Sequence, residues 1–411
     1  MRFRSSRHLF VLLCWLIIGG VTAVAGGTAF SDAGAAGAQP PDVMHLARAV
    51  HLALTHGVDA GRARLDLEGQ FLEAENLWRQ HQAGPPSPQQ VCVPGAGCFS
   101  VGGPSDLEKS QIERLLPLQV EVLRNGAAAG YVQRQAAARA DTIEGYFNLM
   151  MAGEARAVHE ASLHRIEAQL RQVEALLAGG VVPEIDRLRV RAGMAEAQAE
   201  AFAANQRLAL AVLEFNRLLG RGLSDAPPVL PAPAFETAEA RDLASDLTAA
   251  LAVDAEVLSA AGRLIVAEKE LTLYKEHHGT FPDRRPFRER ELAIEEAELD
   301  LRAAREATEI RLRGAHSRLV ETARRVEAFE QQTEMARRAH HITVLRYEAG
   351  IGTVVDVMAA EGDLRRAELA ALSAGIDHQT ARSRLDILLG AGVPEARDEA
   401  QEILEAIDHL F

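Results

Sequence analysis

Aromatic side chains are scarce, only 5% of the 411-residue chain. Sandwiches, short-stranded barrels and doubly wound enzymes build their cores from aromatic and β-branched bulk, so the shortage argues against all three. Basic charge is short as well. Lys and Arg number 44 against 58 Asp and Glu, a net −14, which argues against nucleic acid, because phosphate binding needs clustered cations. Past the N-terminal stretch no apolar run approaches the length of a spanning helix. The chain also lacks a Gly-rich phosphate loop, a nucleophile elbow and a Cys/His dyad, so neither an enzyme nor a cofactor is expected. What is plentiful is alanine and charge of both signs, within a hydrophobic content of 48%. That composition suits long helices packed closely side by side.

The N-terminus reads as an export signal over residues 1–25. Arg2, Arg4 and Arg7 precede a short apolar stretch, Leu9 to Ile18, and Ala23-Val24-Ala25 offers a cleavage site before Gly26. A later cut near Ala36-Gly37-Ala38 remains open. Cys14 lies inside the apolar stretch without the small residues of a lipoprotein signal. Export leaves Cys92 and Cys98, joined by Val-Pro-Gly-Ala-Gly. A Pro-Gly turn can bring the thiols together, and an oxidising compartment favours a disulfide over free thiols. Zinc is disfavoured because no second ligand pair lies nearby.

Proline and glycine divide the remainder. A helix is expected from Pro41 to Gln82, then a loop from Gly84 to Pro104. A long tract runs from Ser105 to Ala178, with Pro117 and Asn125-Gly126 as early breakers, followed by a helix from Pro183 to Leu219. A Pro/Gly linker covers 223–236. The pattern then returns: Thr237, an N-cap type, to Glu276, then Phe287 to Glu348, a Gly turn, and a helix to Leu389. An acidic tail over 393–411 opens at Pro394.

The return is an internal duplication, with halves 41–222 and 237–392. At an offset of 170 residues Gly180 meets Gly350, Asp186 meets Asp356, and Leu218-Leu219-Gly220 meets Leu388-Leu389-Gly390. An apolar seam repeats at the same offset. It reads Val190, Met194, Ala197, Ala201, Ala204, Leu208, Ala211, Phe215 and Leu218 in the first copy. In the second it reads Ala360, Leu364, Ala367, Ala371, Ala374, His378, Ala381, Leu385 and Leu388. Steps of four and three make the stripe of a coiled coil. The fold class is therefore all-α, with long antiparallel coiled-coil helices in two internal repeats.

These residues resemble the TolC-type outer-membrane efflux family. Its two repeats each carry a Gly turn, an Asp opening the return helix, and a closing Leu-Leu-Gly. The stretch Arg346-Tyr347-Glu348-Ala349-Gly350-Ile351-Gly352-Thr353-Val354-Val355-Asp356-Val357 is similar to the family's most recognisable segment, and Gly145-Tyr146-Phe147-Asn148-Leu149 to its tyrosine-bearing one. The resemblance implies a homo-trimer and a helical periplasmic tube. It also implies work with a periplasmic adaptor and an inner-membrane pump. The family adds two membrane strands per repeat, but a spanning strand takes roughly 9–11 alternating residues. The intervals Gly84 to Pro104 and Glu276 to Pro286 are too short and wrongly patterned. The expectation is a TolC-like helical body with little or no β-barrel. The alternative is a non-conducting periplasmic coiled-coil scaffold derived from such a channel.

The candidate partner-binding residues are the two tip turns: Gly180 and Asp186 in the first copy, Gly350, Ile351, Gly352, Thr353, Val354 and Asp356 in the second. Ile351, Thr353 and Val354 read as exposed. The plainer readings are C-cap glycines with positive φ and first-turn acids favourable to the helix dipole. His277-His278 and His340-His341 are adjacent pairs that point about 100° apart on a helix, a poor metal arrangement, so no metal is expected.

Overall fold

The computed structural model describes residues 43–84, 89–93, 97–101, 105–232, 241–278 and 284–408. The export signal and Thr237 lie outside the described residues. The chain forms α1 (Leu46–His56), α2 (Val58–Ala83), β1 (Gln89–Val93), β2 (Gly97–Val101), α3 (Asp106–Ser110), a π turn (Gln111–Leu115), α4 (Leu116–Ala178) and α5 (Glu184–Leu218). The second half forms α6 (Leu243–Val253), α7 (Ala255–His278), α8 (Arg284–Glu348), α9 (Val354–Leu388) and the tail helix α10 (Val393–Asp408). At 1.5 Å per residue, α4 and α8, with 63 and 65 residues, are each roughly 95 Å long.

The duplication is repeated in backbone geometry. Helices α5 and α9 begin and end 170 residues apart. Gly180 and Gly350 take φ of 71° and 72°, and Gly220 and Gly390 take 68° and 93°. Each long helix ends the same way. Val181 N donates to Leu176 O and Gly180 N to Leu177 O, both 2.9 Å, as Ile351 N does to Arg346 O and Gly350 N to Tyr347 O, both 3.0 Å. These paired bonds satisfy the last carbonyls and require a left-handed residue, which glycine supplies without strain.

Upstream the offset changes to 197, since α1 and α2 start at Leu46 and Val58 and their counterparts at Leu243 and Ala255. The 27-residue difference lies between α2 and α4, where the first repeat inserts β1, β2 and α3. There the expected loop is instead an antiparallel hairpin, with Val91 opposite Phe99 and Cys92 opposite Cys98. Every proline of the interval falls outside the two strands, so the ladder loses no donor. In the second repeat only five residues separate His278 from Arg284. Fully extended they reach about 17 Å, too little to cross a hydrocarbon layer of about 30 Å and return. No helix among the described residues is long and apolar enough to cross a membrane.

Other boundaries shifted for local reasons. The expected first helix breaks at Gly57, where an added Cβ would fall 2.2 Å from the Ala53 carbonyl. At the matching position in the second repeat, Asp254 accepts from the amides of Glu256 (2.9 Å) and Val257 (3.2 Å), capping α7. Pro117 sits in the first turn of α4 and Asn125-Gly126 lies within it, so neither breaks it. The π turn before α4 frees the Ile112 carbonyl, which accepts from His81 Nδ1 at 2.8 Å.

The long helices pack in the order α5, α4, α9, α8, with α1, α2 and α10 on α4 and α7 against both α4 and α8. Every seam position read from the sequence is buried or half-buried. One apolar cluster sits towards the helix ends away from the tips and gathers Ile143, Tyr146, Phe147, Met150, Phe215 and Ile376. Met44 and Asn216 tie the segment that follows α5 to it: Met44 N donates to Val229 O at 2.8 Å, and Asn216 Nδ2 to Asp225 O at 3.0 Å.

The strand register generates an expectation for the cysteines. Directly opposed antiparallel residues have Cα atoms about 4.5–5.5 Å apart, inside the range a disulfide spans. Exported protein should carry a Cys92–Cys98 bond, seen as a mass gain on reduction and alkylation. Two thiols that alkylate freely without reductant would refute it.

Candidate functional site

Both Gly turns lie at one end of the helices, where Ile166, Val173, Val190, Tyr347, Val354 and Val357 form a second apolar cluster. Gly193 admits the end of Met358 so closely that a Cβ would stand 2.3 Å from Cε, which draws α5 against α9. Tyr347 is 5% exposed. Burial, and then the Asp186 charge, push its phenol up from the ordinary tyrosine value, so the two repeats meet at this pair.

The related acids do different work. Asp356 and Thr353 form a capping box: Asp356 N donates to Thr353 Oγ1 at 3.3 Å, and Thr353 N to Asp356 Oδ2 at 3.1 Å. The Thr353 hydroxyl, which donates to the same carboxylate at 2.8 Å, and then the Thr353 amide hold the Asp356 carboxyl below the usual range. In the first copy Pro183 occupies the N-cap position and offers no side-chain acceptor. Asp186 instead lies 3.7 Å from Arg189.

The expected exposure of the second tip is corrected at one residue. Ile351 is 70% exposed and Thr353 is exposed, but Val354 is fully buried, because the helix that Thr353 caps turns it into the tip cluster. Val355 takes the outward position beside Ile351. Gly352 is hemmed by the Tyr347 amide, 3.1 Å from a Cβ position, so it is a packing glycine. On the first tip Val181, Ile185 and Leu188 are exposed.

An apolar face the sequence reading missed continues from that tip. Leu188, Ala192, Ala195, Ala199, Phe202, Ala209 and Leu213 lie on the exposed side of α5, stepping four and three apart except where Gln206 intervenes. The signal was present but lay beside the stronger buried seam. Helix α8 exposes Leu299, Ile310, Val320, Met335 and Ile342, and α2 exposes Val58, Leu65 and Leu72 at seven-residue intervals. Helix α4 shows no large exposed hydrophobic, and α9 shows Val355 alone. The inner helices are covered, and the outer ones carry uncovered apolar stripes.

The histidines do not converge. His277 Nε2 lies 2.6 Å from Ser110 Oγ, and His278 stacks on Tyr274. Among the described residues no group of three His, Cys, Asp or Glu could hold a metal. His378, 2% exposed, contacts Thr322 Oγ1 through Nδ1 at 3.1 Å.

The cap and the exposed residue beside it separate stability from surface. Thr353→Ala should lower stability by about 1 kcal/mol, read as a fall in melting temperature. Ile351→Arg should leave melting unchanged. Equal losses for both would show that Ile351 is packed and the tip is not a free surface.

No protein-family model matches this sequence, and no curated protein matches it. Solved structures do. The outer-membrane channel OprN superposes with a TM-score of 0.67 at 18% identity, over 84% of this chain and 89% of that one. The Campylobacter jejuni CmeC outer membrane channel gives 0.65 at 13%, over 90% and 94%. The Vibrio cholerae outer membrane protein VceC gives 0.59 at 18%, over 84% and 96%. Over most of its length this chain has the helical-body fold of the TolC-type outer-membrane channels.

Proposed function

We propose that the protein is a TolC-like component of a tripartite efflux or export system, exported to the periplasm or outer membrane. In this reading a periplasmic adaptor packs against the helical tips and links the chain to an inner-membrane pump. The observation that carries it is the coincidence of that fold with exposed apolar residues on both tips: Val181 and Ile185 on one, Ile351 and Val355 on the other. Apolar side chains at helix ends suit helix-in-groove contact.

Assembly follows from the edges. Four long helices are too few to enclose a lumen, and the uncovered stripes lie on α5 and α8, at opposite ends of the helix order. A contact between different faces closes into a ring when its rotation divides the full turn, and the resemblance to the TolC family points to closure as a homo-trimer. The non-conducting scaffold is the second reading. It is favoured by the five-residue connection between α7 and α8, too short for a spanning strand pair.

Two measurements bear on this. Purified mature protein should have three times the protomer mass by light scattering, and Phe202→Glu, on the exposed stripe, should yield monomers with an unchanged helical spectrum. A wild-type monomer would remove the ring. In cells, photo-cross-linkers at residues 185 and 351 should capture one adaptor, and Ile351→Arg should abolish both capture and efflux-dependent resistance. Retention of both under that change would sink the docking role.

A further inference from the structure

A charged layer interrupts the long helices between the two apolar clusters. Helix α9 presents Glu361, Arg365 and Glu368, spaced four and three apart on one face. Glu361 is 4% exposed and accepts from Arg165 of α4 at 3.2 Å. Arg165 also reaches Glu368 at 3.2 Å, and Arg337 of α8 lies 3.8 Å from Glu368. Arg365 pairs with Glu200 of α5. One stripe on α9 is thereby tied to each of the other long helices. Such pairs tolerate little change, since a charge left unpartnered at a buried site is costly.

Two histidines border the stripe. His159 of α4 is 8% exposed, and its Nδ1 lies 3.7 Å from Glu200 without a hydrogen-bond partner. It faces Glu200 and Arg207 of α5 and Arg365 and Glu361 of α9. His340 of α8 lines a cavity of about 220 Å³ with Arg165, Gln169 and Glu361. It faces Arg165 of α4, Glu361 and Glu368 of α9, and His341 on its own helix. Gln169 is 6% exposed and its Nε2 is unpartnered. The cavity therefore leaves room beside His340 in which polar groups can rearrange.

We propose that this layer is an acid-released latch between the two helical hairpins, α4–α5 and α8–α9: the α9 stripe holds the tip ends together at neutral pH, and protonation of His159 and His340 loosens it. A proton on His159 puts a cation beside Arg365 that competes for Glu200. A proton on His340 does the same to Arg165 and its two carboxylates. Burial, then the neighbouring guanidinium charge, lowers both histidines from their ordinary value. The closed layer thus binds protons less readily than an opened one. Its contribution is complete above the ordinary histidine value of about 6.5 and is lost as pH falls through that value towards the lowered ones.

Hydrogen exchange on the full mature chain tests this at about pH 7.5 and about pH 5.5, either side of that value, with rates corrected for intrinsic chemistry. Protection across residues 155–172 and 357–372 should fall several-fold in acid, while residues 143–150 in the other cluster keep theirs. The double variant His159→Gln/His340→Gln should lose the response. His378→Gln, which alters a histidine outside the layer, should retain it. Glu361→Gln should show fast exchange in the layer already at neutral pH. Unchanged protection in the wild-type chain overturns the latch without recourse to any variant. So does an acid response that persists in the double histidine variant, or one that spreads equally over residues 143–150.

Discussion

Everything in this fold depends on how closely four very long helices can approach one another. The alanine runs of the seam, Ala197, Ala201 and Ala204 on α5 and Ala367, Ala371 and Ala374 on α9, remove the side-chain bulk that would hold the axes apart. The facing side chains of α4 and α8 then sink into the gaps. Because the step alternates four and three, contact is kept over ten turns. At the end of the seam away from the tips Tyr146, Phe147 and Phe215 fill the space in which α1 joins the bundle. The scarcity of aromatics is a consequence of this geometry, since large rings cannot repeat along a close-packed seam.

Duplication supplies the frame, and departures from it supply the individuality. Pro183 and Thr353 are equivalent positions, yet only the threonine caps its helix, so the two tip acids part company. Helices α5 and α9 are likewise equivalent, yet α9 is enclosed between α4 and α8 while α5 packs on α4 and only lightly on α9. A stripe that is half-buried on α9 is therefore uncovered on α5. The hairpin lies in an insertion between α2 and α4, whereas only five residues separate α7 from α8.

The interior is not uniformly apolar. A seam of alanines alone would let hairpins slide by a heptad at small cost. Charges at a few half-buried positions penalise such shifts, because a displaced register leaves them unpartnered. In this chain that specificity is concentrated on Glu361, Arg365 and Glu368, between clusters that are otherwise hydrocarbon.

The sequence by itself determined the long helices, the turns that end them and the duplication. Those follow from interactions within a few residues: the Gly180 and Gly350 turns, the Leu-Leu-Gly closures, and the four-three seam that lies buried as read. It also carried the Thr353–Asp356 box, since a cap spans only three residues. Tertiary structure alone decided the rest. The burial of Val354 and the exposure of Phe202 depend on which element lies opposite. So does the meeting of Arg165, Glu200 and Arg337 on one stripe of α9, from helices distant in the chain. Local propensity has no term for a neighbour 170 residues away. Two seams of equal periodicity on α5 could be told apart only once α4 had covered one of them.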